Sequence, residues 1–168
     1  CMGSFCTQVV HDKSLFYILR HPMTKQILSE VENAFVAEHI PYTEELKDDT
    51  IREFGIVDEK EKWIIKPKNS YGAIGIFAGV SCTQEQWEAA VNENKNANYV
   101  MQQFIMPYQT YNIDFHKEND GLRKYSNLTG LYVYNGKFAG VYSRQSNKEI
   151  ISSEYDENDI ATICLISR

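Results

Sequence analysis

The chain has 168 residues, enough for a domain with a substantial hydrophobic core, and its 43% hydrophobic and 24% charged content is typical of globular proteins. The net charge is −6 and the basic residues are scattered, which argues against a nucleic-acid-binding or anionic-membrane-binding surface. No apolar run approaches the roughly 18 residues of a membrane span, and four cysteines without CxxC spacing, with no signal-peptide pattern, favour a reduced cytoplasmic setting.

The N-terminal part of the chain is predicted to be helical. From Ser14 to about His39 the apolar residues recur at three- and four-residue steps, a pattern typical of amphipathic helices. The dipeptide His21-Pro22 interrupts the pattern and predicts two helices. Pro41 and the polar run Thr43 to Asp49 predict a surface connection, with a short helix over Leu46 to Phe54.

The next segment is predicted to alternate between strands and a helix. Trp63-Ile64-Ile65 is typical of a buried strand that runs into Lys66-Pro67, and the glycine-containing loop Asn69 to Gly75 follows. A second strand is predicted over Ile76 to Val80. Overlapping S-x-x-Q and T-x-x-Q capping boxes then predict a helix that begins near Thr83 and ends in the cluster Asn94 to Asn98.

The C-terminal part is predicted to be mostly β structure. Tyr99 to Ile105 and Thr110 to Phe115 are strand candidates. The clearest hairpin consists of Leu128 to Tyr134 and Lys137 to Ser143, joined by Asn135-Gly136, a dipeptide that tolerates the positive φ angles of a tight turn.

Together these elements predict an α+β fold. Residues 1–61 are interpreted as a helical segment with a connector, and residues 62–168 as a region built on one antiparallel sheet. That sheet is expected to carry the lysine strand, the glutamine strand and the Asn135-Gly136 hairpin. The two parts are expected to form one compact unit.

Lys66 and the glycine loop are the first candidate site. A lysine at a strand end beside a glycine-containing turn can present an ammonium group and backbone N–H groups to phosphate oxygens. The loop matches neither a P-loop nor a dinucleotide-binding fingerprint. The alternative interpretation is a tight hairpin loop with a surface lysine.

Two further candidates lie downstream. Gln102 and Gln103 interrupt an apolar strand and could offer amide groups to a purine, although either could simply face solvent. Arg144, at the far end of the hairpin, could bind phosphate or carboxylate in bidentate fashion, although most such arginines are solvated. The four histidines show no metal-ligand spacing, and no nucleophile is paired with a base.

Five features follow one another along the chain: Trp63-Ile-Ile-Lys-Pro, the glycine loop, the helix around Trp87, Val100-Met-Gln-Gln-Phe-Ile-Met-Pro, and Gly130-Leu-Tyr-Val-Tyr-Asn-Gly-Lys-Phe-Ala-Gly-Val-Tyr-Ser-Arg. In this order they resemble the C-terminal part of circularly permuted ATP-grasp proteins of the glutathionylspermidine synthase type. The resemblance covers roughly residues 14 to 155. It also includes the helix after Asp12-Lys13 and the connector Ile40-Pro41-Tyr42-Thr43.

The resemblance implies an ATP-dependent ligase that forms an acyl phosphate from a small carboxylate, which a small amine then attacks to give an amide. ATP is the implied cofactor, with the adenine between two α+β lobes. Lys66 would hold phosphate, and Arg144 would face the transferred phosphate. The lid over the phosphate would contain Tyr71, Gly72, Ala73 and Gly75, and the adenine-binding hinge would comprise Gln102, Gln103, Phe104 and Ile105.

The chain also departs from that family. Ile74 stands where related loops often carry a lysine, and Asn127 where many relatives have aspartate. The acidic and asparagine ligands of Mg²⁺ are expected just upstream of the Lys13 helix, where the chain has only Cys1-Met2-Gly3-Ser4. The start at Cys1 indicates a piece of a longer chain, and the 168 residues are expected to be incomplete as a catalyst.

Two alternatives follow from these departures. The chain could be a non-catalytic nucleotide-binding module, or one whose site a partner segment or chain completes. It could also be an interaction domain that has kept the fold and lost the ligand.

Overall fold

The computed structural model describes residues 9–113, 121–152 and 157–161. These residues form a mixed α+β structure with two antiparallel four-stranded sheets. The chain divides into two compact units, Cys1–Ile105 and Met106–Arg168, and each contains one of the sheets. The α+β class is therefore confirmed, whereas the prediction of one sheet that carries every strand is wrong.

Strand Tyr99–Gln103, the last of the first unit, lies inside its sheet with a hydrogen-bonded neighbour on each side. It therefore offers no free edge to the strand that comes next along the chain. Pro107 follows it and has no backbone N–H to continue a ladder. The later strands pair among themselves in the second sheet.

Three short helices begin the first unit, where two were predicted: α1 (Ser14–Arg20), α2 (Pro22–Ile27) and α3 (Glu30–His39). The expected break at His21-Pro22 is present, and Pro22 occupies the first turn of α2. A second break follows at Leu28. Ser29 then begins α3 with a capping box, in which its backbone N–H donates to Glu32 Oε2 at 2.8 Å.

The first sheet contains β1 (Thr43–Glu45), β2 (Trp63–Pro67), β3 (Phe77–Ala78) and β4 (Tyr99–Gln103), in the order β1-β4-β2-β3. β2 confirms the predicted strand at Trp63 and extends it to Pro67. β4 confirms the strand predicted from Tyr99 but ends at Gln103, before the expected Ile105. The prediction of a surface connection over Thr43 to Asp49 is wrong at its start, because β1 pairs with β4 and the Thr43 side chain is only 1% exposed. The polar sequence of β1 carries no strand pattern, and its pairing partner β4 lies far along the chain.

β3 is shorter than the predicted Ile76 to Val80 strand. The chain leaves the extended conformation for a 3₁₀ turn over Gly79–Ser81. Lys60 stabilises this turn, because its Nζ donates to the Gly79 and Cys82 carbonyl oxygens, each at 2.9 Å. Gly79 also lies against the Lys60 backbone so closely that a Cβ at that position would come within 1.9 Å of the Lys60 carbonyl oxygen.

The main hydrophobic cluster of the first unit lies on one face of its sheet. Two helices contribute to this side of the unit, α4 (Asp48–Glu53), within the predicted Leu46 to Phe54 helix, and α5 (Gln84–Asn94). α5 begins at the expected capping box, in which Thr83 and Gln86 cap each other reciprocally. The buried cluster consists of Leu46, Ile56, Trp63, Ile65, Trp87, Ala90, Val91 and Met101.

The opposite face of the first sheet carries polar side chains beside buried apolar ones, which include Ile64 and Val100. Side chains alternate between the faces of a strand, and the register places Gln102 opposite both Thr43 and Ile64. Lys66, two residues after Ile64, therefore shares a face with Gln102 and Thr43. This second face is where the candidate site lies.

The second unit contains β5 (Gln109–Ile113), β6 (Leu122–Tyr134), β7 (Lys137–Ser146) and β8 (Asn158–Ile160), in sequential order. The predicted hairpin is present with longer strands, and its turn residues Asn135 and Gly136 have φ of 50° and 71°. Asp114 and Phe115, at the end of the strand predicted over Thr110 to Phe115, lie outside the described residues. None of the described helices combines the length and apolarity needed to cross a bilayer.

Candidate functional site

Lys66 lies near the end of β2, and its side chain is held by a chain of three hydrogen bonds. The Lys66 Nζ donates to Gln102 Oε1 at 2.6 Å. The Gln102 Nε2 donates to Thr43 Oγ1 at 2.8 Å, and the Thr43 hydroxyl donates to the Pro41 carbonyl oxygen at 3.0 Å. We call Lys66, Gln102, Thr43 and Pro41 the lysine network.

The Lys66 ammonium group is partly buried and has no carboxylate partner among the described residues. Within the described ranges it makes the single hydrogen bond to Gln102 and no ion pair. Burial, followed by the positive charge of nearby Lys13, lowers the pKa of Lys66 to about 8. An ammonium group with unused N–H donors and no counter-charge can bind an anion.

Lys13 is a site residue that the sequence did not identify. It stands just before α1, and its backbone N–H donates to the Lys68 carbonyl oxygen at 2.9 Å. Its Nζ donates to the Ser70 carbonyl oxygen at 2.8 Å, which ties it to the start of the glycine loop. Burial lowers the pKa of Lys13, although the adjacent Asp12 carboxylate opposes this shift. The only sequence signal was a basic residue at a helix start, which is too common to indicate a site.

Lys68 lies one residue beyond β2, and its charge environment differs from that of Lys66. Its Nζ forms an ion pair with Glu45, which also pairs with Lys47. Both hydrogen bonds from these lysines lower the pKa of Glu45. Lys68 is thus neutralised by a carboxylate, whereas Lys66 is not.

The glycine loop follows Lys68 and turns sharply. Gly72, Ala73 and Gly75 have φ of 62°, 62° and 72°, so left-handed backbone occurs at three of four successive residues. Gly75 packs tightly, since a Cβ there would lie 2.8 Å from the Tyr99 hydroxyl oxygen. The Tyr71 and Ile74 side chains are 79% and 54% exposed. The loop is therefore packed against Tyr99 at Gly75 and presents the Tyr71 and Ile74 side chains to solvent.

The two glutamines of the predicted hinge, Gln102 and Gln103, differ in burial. Gln102 is 6% exposed, and its amide oxygen and nitrogen are both used inside the lysine network. Gln103 is exposed, and its backbone N–H donates to the Tyr42 carbonyl oxygen at 2.8 Å. Phe104 N–H donates to the Lys62 carbonyl oxygen at 2.8 Å, and Ile105 is 59% exposed. A role for these residues in adenine binding stays a prediction.

Arg144 belongs to the second unit and is paired within it. Its Nη1 lies 3.2 Å from Glu157 Oε1, and its Nε lies 3.5 Å from Asp159 Oδ1. Its guanidinium carbon lies 5.1 Å from the centroid of the Tyr142 ring. The guanidinium borders a cavity of about 320 Å³, which is also lined by Tyr132, Val141, Tyr142, Ser143, Asp159 and Ile160. Two carboxylates thus hold the predicted phosphate-facing residue.

The described residues contain no group of three or more His, Cys, Asp and Glu side chains that could hold a metal. The resemblance predicts the magnesium ligands just upstream of the Lys13 helix, and the stretch Cys1 to Ser4 that stands there lies outside the described residues. Asn127, which stands where many relatives have aspartate, is 5% exposed and donates through Nδ2 to Thr110 Oγ1 at 2.8 Å.

The structure therefore brings Lys66, Lys13, Gln102 and the start of the glycine loop together within the first unit. Arg144 is part of the second unit. The sequence matches no protein-family model and no curated protein significantly.

Proposed function

We propose that the first unit binds ATP, as the nucleotide-binding part of an ATP-dependent carboxylate–amine ligase of the ATP-grasp type. One observation carries the proposal: the Lys66 ammonium group is partly buried, aimed by Gln102 and without a carboxylate partner among the described residues. It lies beside a loop with left-handed backbone at Gly72, Ala73 and Gly75.

The electrostatics favour a phosphate ligand. Two unit charges about 4 Å apart attract by about 4 kcal/mol at an effective dielectric constant of about 20, so a phosphate oxygen would offset the cost of burying the Lys66 ammonium. The charge of Lys13, which disfavours the Lys66 ammonium in the free protein, would act on the same anion. A polyphosphate satisfies both lysines, whereas one carboxylate neutralises one.

In this proposal the residues bind and orient ATP for phosphoryl transfer. A substrate carboxylate oxygen attacks the γ-phosphorus, and the bond to the β-phosphate oxygen breaks to release ADP. The amine then attacks the acyl carbon of the acyl phosphate, inorganic phosphate leaves with the electron pair of the C–O bond, and the amine nitrogen loses a proton. Lys66 and Lys13 hold the phosphates, the glycine loop covers them, and Gln103 to Ile105 lie along the adenine.

A non-catalytic nucleotide-binding module is the second candidate. The observation that favours it is the pairing of Arg144 with Glu157 and Asp159, because the two carboxylates offset the guanidinium charge that would otherwise act on a transferred phosphate. In this alternative the lysine network binds ATP and no acyl phosphate forms. Formation of ADP in the presence of a carboxylate and an amine separates the two candidates.

The experiment is calorimetric titration of the 168-residue protein with ATP, with and without Mg²⁺. Lys66→Ala is expected to weaken binding at least about tenfold, which corresponds to ~1.4 kcal/mol. Lys62→Ala is the matched control, because Lys62 is 63% exposed and pairs with Glu59 at the surface. Equal affinity of the wild type and Lys66→Ala would exclude the proposed site.

Repeating the titration at several pH values uses the pKa of Lys66. The free-protein pKa is about 8, and a bound phosphate favours the charged form. Affinity is therefore expected to be constant below that pH and to fall as the pH rises through it. Lys66→Arg stays charged and is expected to lose this dependence. The same fall in both proteins would assign the titration to another group.

A further inference from the structure

The connector Ile40-Pro41-Tyr42-Thr43 reaches the candidate site through Thr43. Thr43 lies on the edge strand β1, directly opposite Gln102 of β4. The two side chains are 1% and 6% exposed, so both are removed from bulk water. A hydroxyl and an amide buried side by side in this way control each other's hydrogen bonding.

The donors and acceptors of the lysine network can be arranged in only one direction. The Pro41 carbonyl oxygen accepts only, so the Thr43 hydroxyl hydrogen points to it, at 3.0 Å. The Thr43 oxygen is then left to accept from Gln102 Nε2, at 2.8 Å. This turns Gln102 Oε1 toward the Lys66 ammonium group, at 2.6 Å. The reversed amide would place its N–H donors against the Lys66 ammonium group and its oxygen against the Thr43 hydroxyl oxygen, whose hydrogen points to Pro41.

We propose that Thr43 is a positioning residue for the anion site: through Gln102, its hydroxyl fixes the direction of the Lys66 ammonium group. The ammonium is thereby aimed before a ligand arrives, and its remaining N–H donors are presented to the phosphate. The consequence for ATP rests on the proposed function, but the consequence for Lys66 in the free protein does not.

A merely structural role for Thr43 predicts something different. Thr43 would then act only as a buried hydroxyl that satisfies its neighbours, and its loss would lower the stability of the fold without a specific effect on Lys66. The two roles are separated by a readout at Lys66 itself and by a change at Gln102 that makes the amide direction irrelevant.

The test compares Thr43→Val, which has a similar shape without the hydroxyl, with Thr43→Ser, which keeps the hydroxyl. The first readout is the pKa of Lys66, measured by NMR of isotope-labelled lysine side chains in the free protein, with Lys66→Arg used to assign the signal. Thr43→Val is expected to lower the pKa of Lys66 further, because the Gln102 amide loses the hydrogen bond that holds its oxygen against the ammonium group. Thr43→Ser is expected to restore the wild-type value.

The second background is Gln102→Glu, in which either carboxylate oxygen can accept from Lys66. There, adding Thr43→Val is expected to change the pKa of Lys66 much less than in the Gln102 background, which is a non-additive result in a double-mutant cycle. A shift of equal size in both backgrounds, or no shift from Thr43→Val in the Gln102 background, overturns the proposal. If Thr43→Val alone folds poorly, Thr43→Ala replaces it in both backgrounds, because alanine also lacks the hydroxyl.

ATP affinity is the second readout. Thr43→Val is expected to weaken ATP binding about fivefold or more, with Thr43→Ser within about twofold of the wild type. If the wild type does not bind ATP, the proposed function fails while the pKa comparison still decides the role of Thr43. If ATP binds and depends on Lys66 but Thr43→Val matches the wild type in both readouts, only the positioning role fails.

Discussion

The two tryptophan residues of the core differ in how their indole nitrogens are satisfied. Trp87 on α5 is fully buried, and its Nε1–H donates to the Ile56 carbonyl oxygen at 2.8 Å. Trp63 on β2 is 7% exposed, and within the described part of the chain its buried Nε1 has no hydrogen-bond partner. The same ring thus contributes packing plus a hydrogen bond at one position and packing alone at the other.

This difference predicts unequal costs for the same substitution. Trp87→Phe removes ring volume and leaves the buried Ile56 carbonyl without its donor, so we expect a loss of about 2–4 kcal/mol in the free energy of unfolding. Trp63→Phe also removes volume, but it relieves an unpaired donor and is expected to cost about 1–2 kcal/mol. Urea unfolding of both variants measures the difference. Equal losses would mean that the Trp87 hydrogen bond adds nothing to packing.

At the level of the element, the β6–β7 hairpin depends on a glycine as well as on its turn. Gly130 on β6 faces Tyr142 on β7, and a Cβ at Gly130 would lie 2.0 Å from the Tyr142 Cε1. The Tyr142 ring lies 5.2 Å from the Tyr132 ring and beneath the Arg144 guanidinium. The missing side chain at Gly130 therefore makes room for the ring that supports Arg144.

Gly130→Ala is expected to displace the Tyr142 ring and to lower the free energy of unfolding of the second unit by about 1–3 kcal/mol. The Arg144 side chain should lose its aromatic support at the same time. The matched control is Leu131→Thr at the adjacent residue, which is 65% exposed. Threonine is a good strand former, so this change is expected to alter stability little. Thermal unfolding and the NMR shifts of the Tyr142 ring test this. An unperturbed Tyr142 in Gly130→Ala would contradict it.

At the level of the whole molecule, the buried interiors of the two units differ in the kind of side chain that fills them. The apolar core cluster lies entirely in the first unit. In the described part of the second unit the buried apolar residue is Tyr125, and the other buried residues are polar: Ser126, Asn127, Ser143, Gln145, Ser146 and Ser152. The first unit therefore gains more of its stability from the hydrophobic effect.

Hydrogen exchange should reflect this asymmetry. Amides in β2 and β4, the strands that carry Lys66 and Gln102, are expected to exchange more slowly than amides at the turn end of β6 and β7. At that turn end Tyr134 and Phe138 are 69% and 67% exposed. Peptide-resolved exchange measured by mass spectrometry at neutral pH compares the two regions directly. Equal protection would mean that the polar interior of the second unit stabilises it as strongly as the apolar cluster stabilises the first.

The sequence by itself determined what depends on near neighbours. The strand at Trp63 to Pro67, the capping box at Thr83 and the Asn135-Gly136 turn each follow from residues within a few positions of one another. Lys66 and the glycine loop were recognisable as a candidate site for the same reason. The mixed α+β class followed from these elements together.

Only the tertiary structure decided which distant residues meet. Gln102 bonds to Thr43 across 59 residues and to Lys66 across 36, and Lys13 joins them from the start of α1. Nothing in the polar run at Thr43 marks it as a buried strand, and nothing in the strand at Gln102 reveals that its amide faces lysine. Helical and strand periodicities report the burial of single elements, whereas these hydrogen bonds exist only once strand pairing has placed the partners on one face of the sheet.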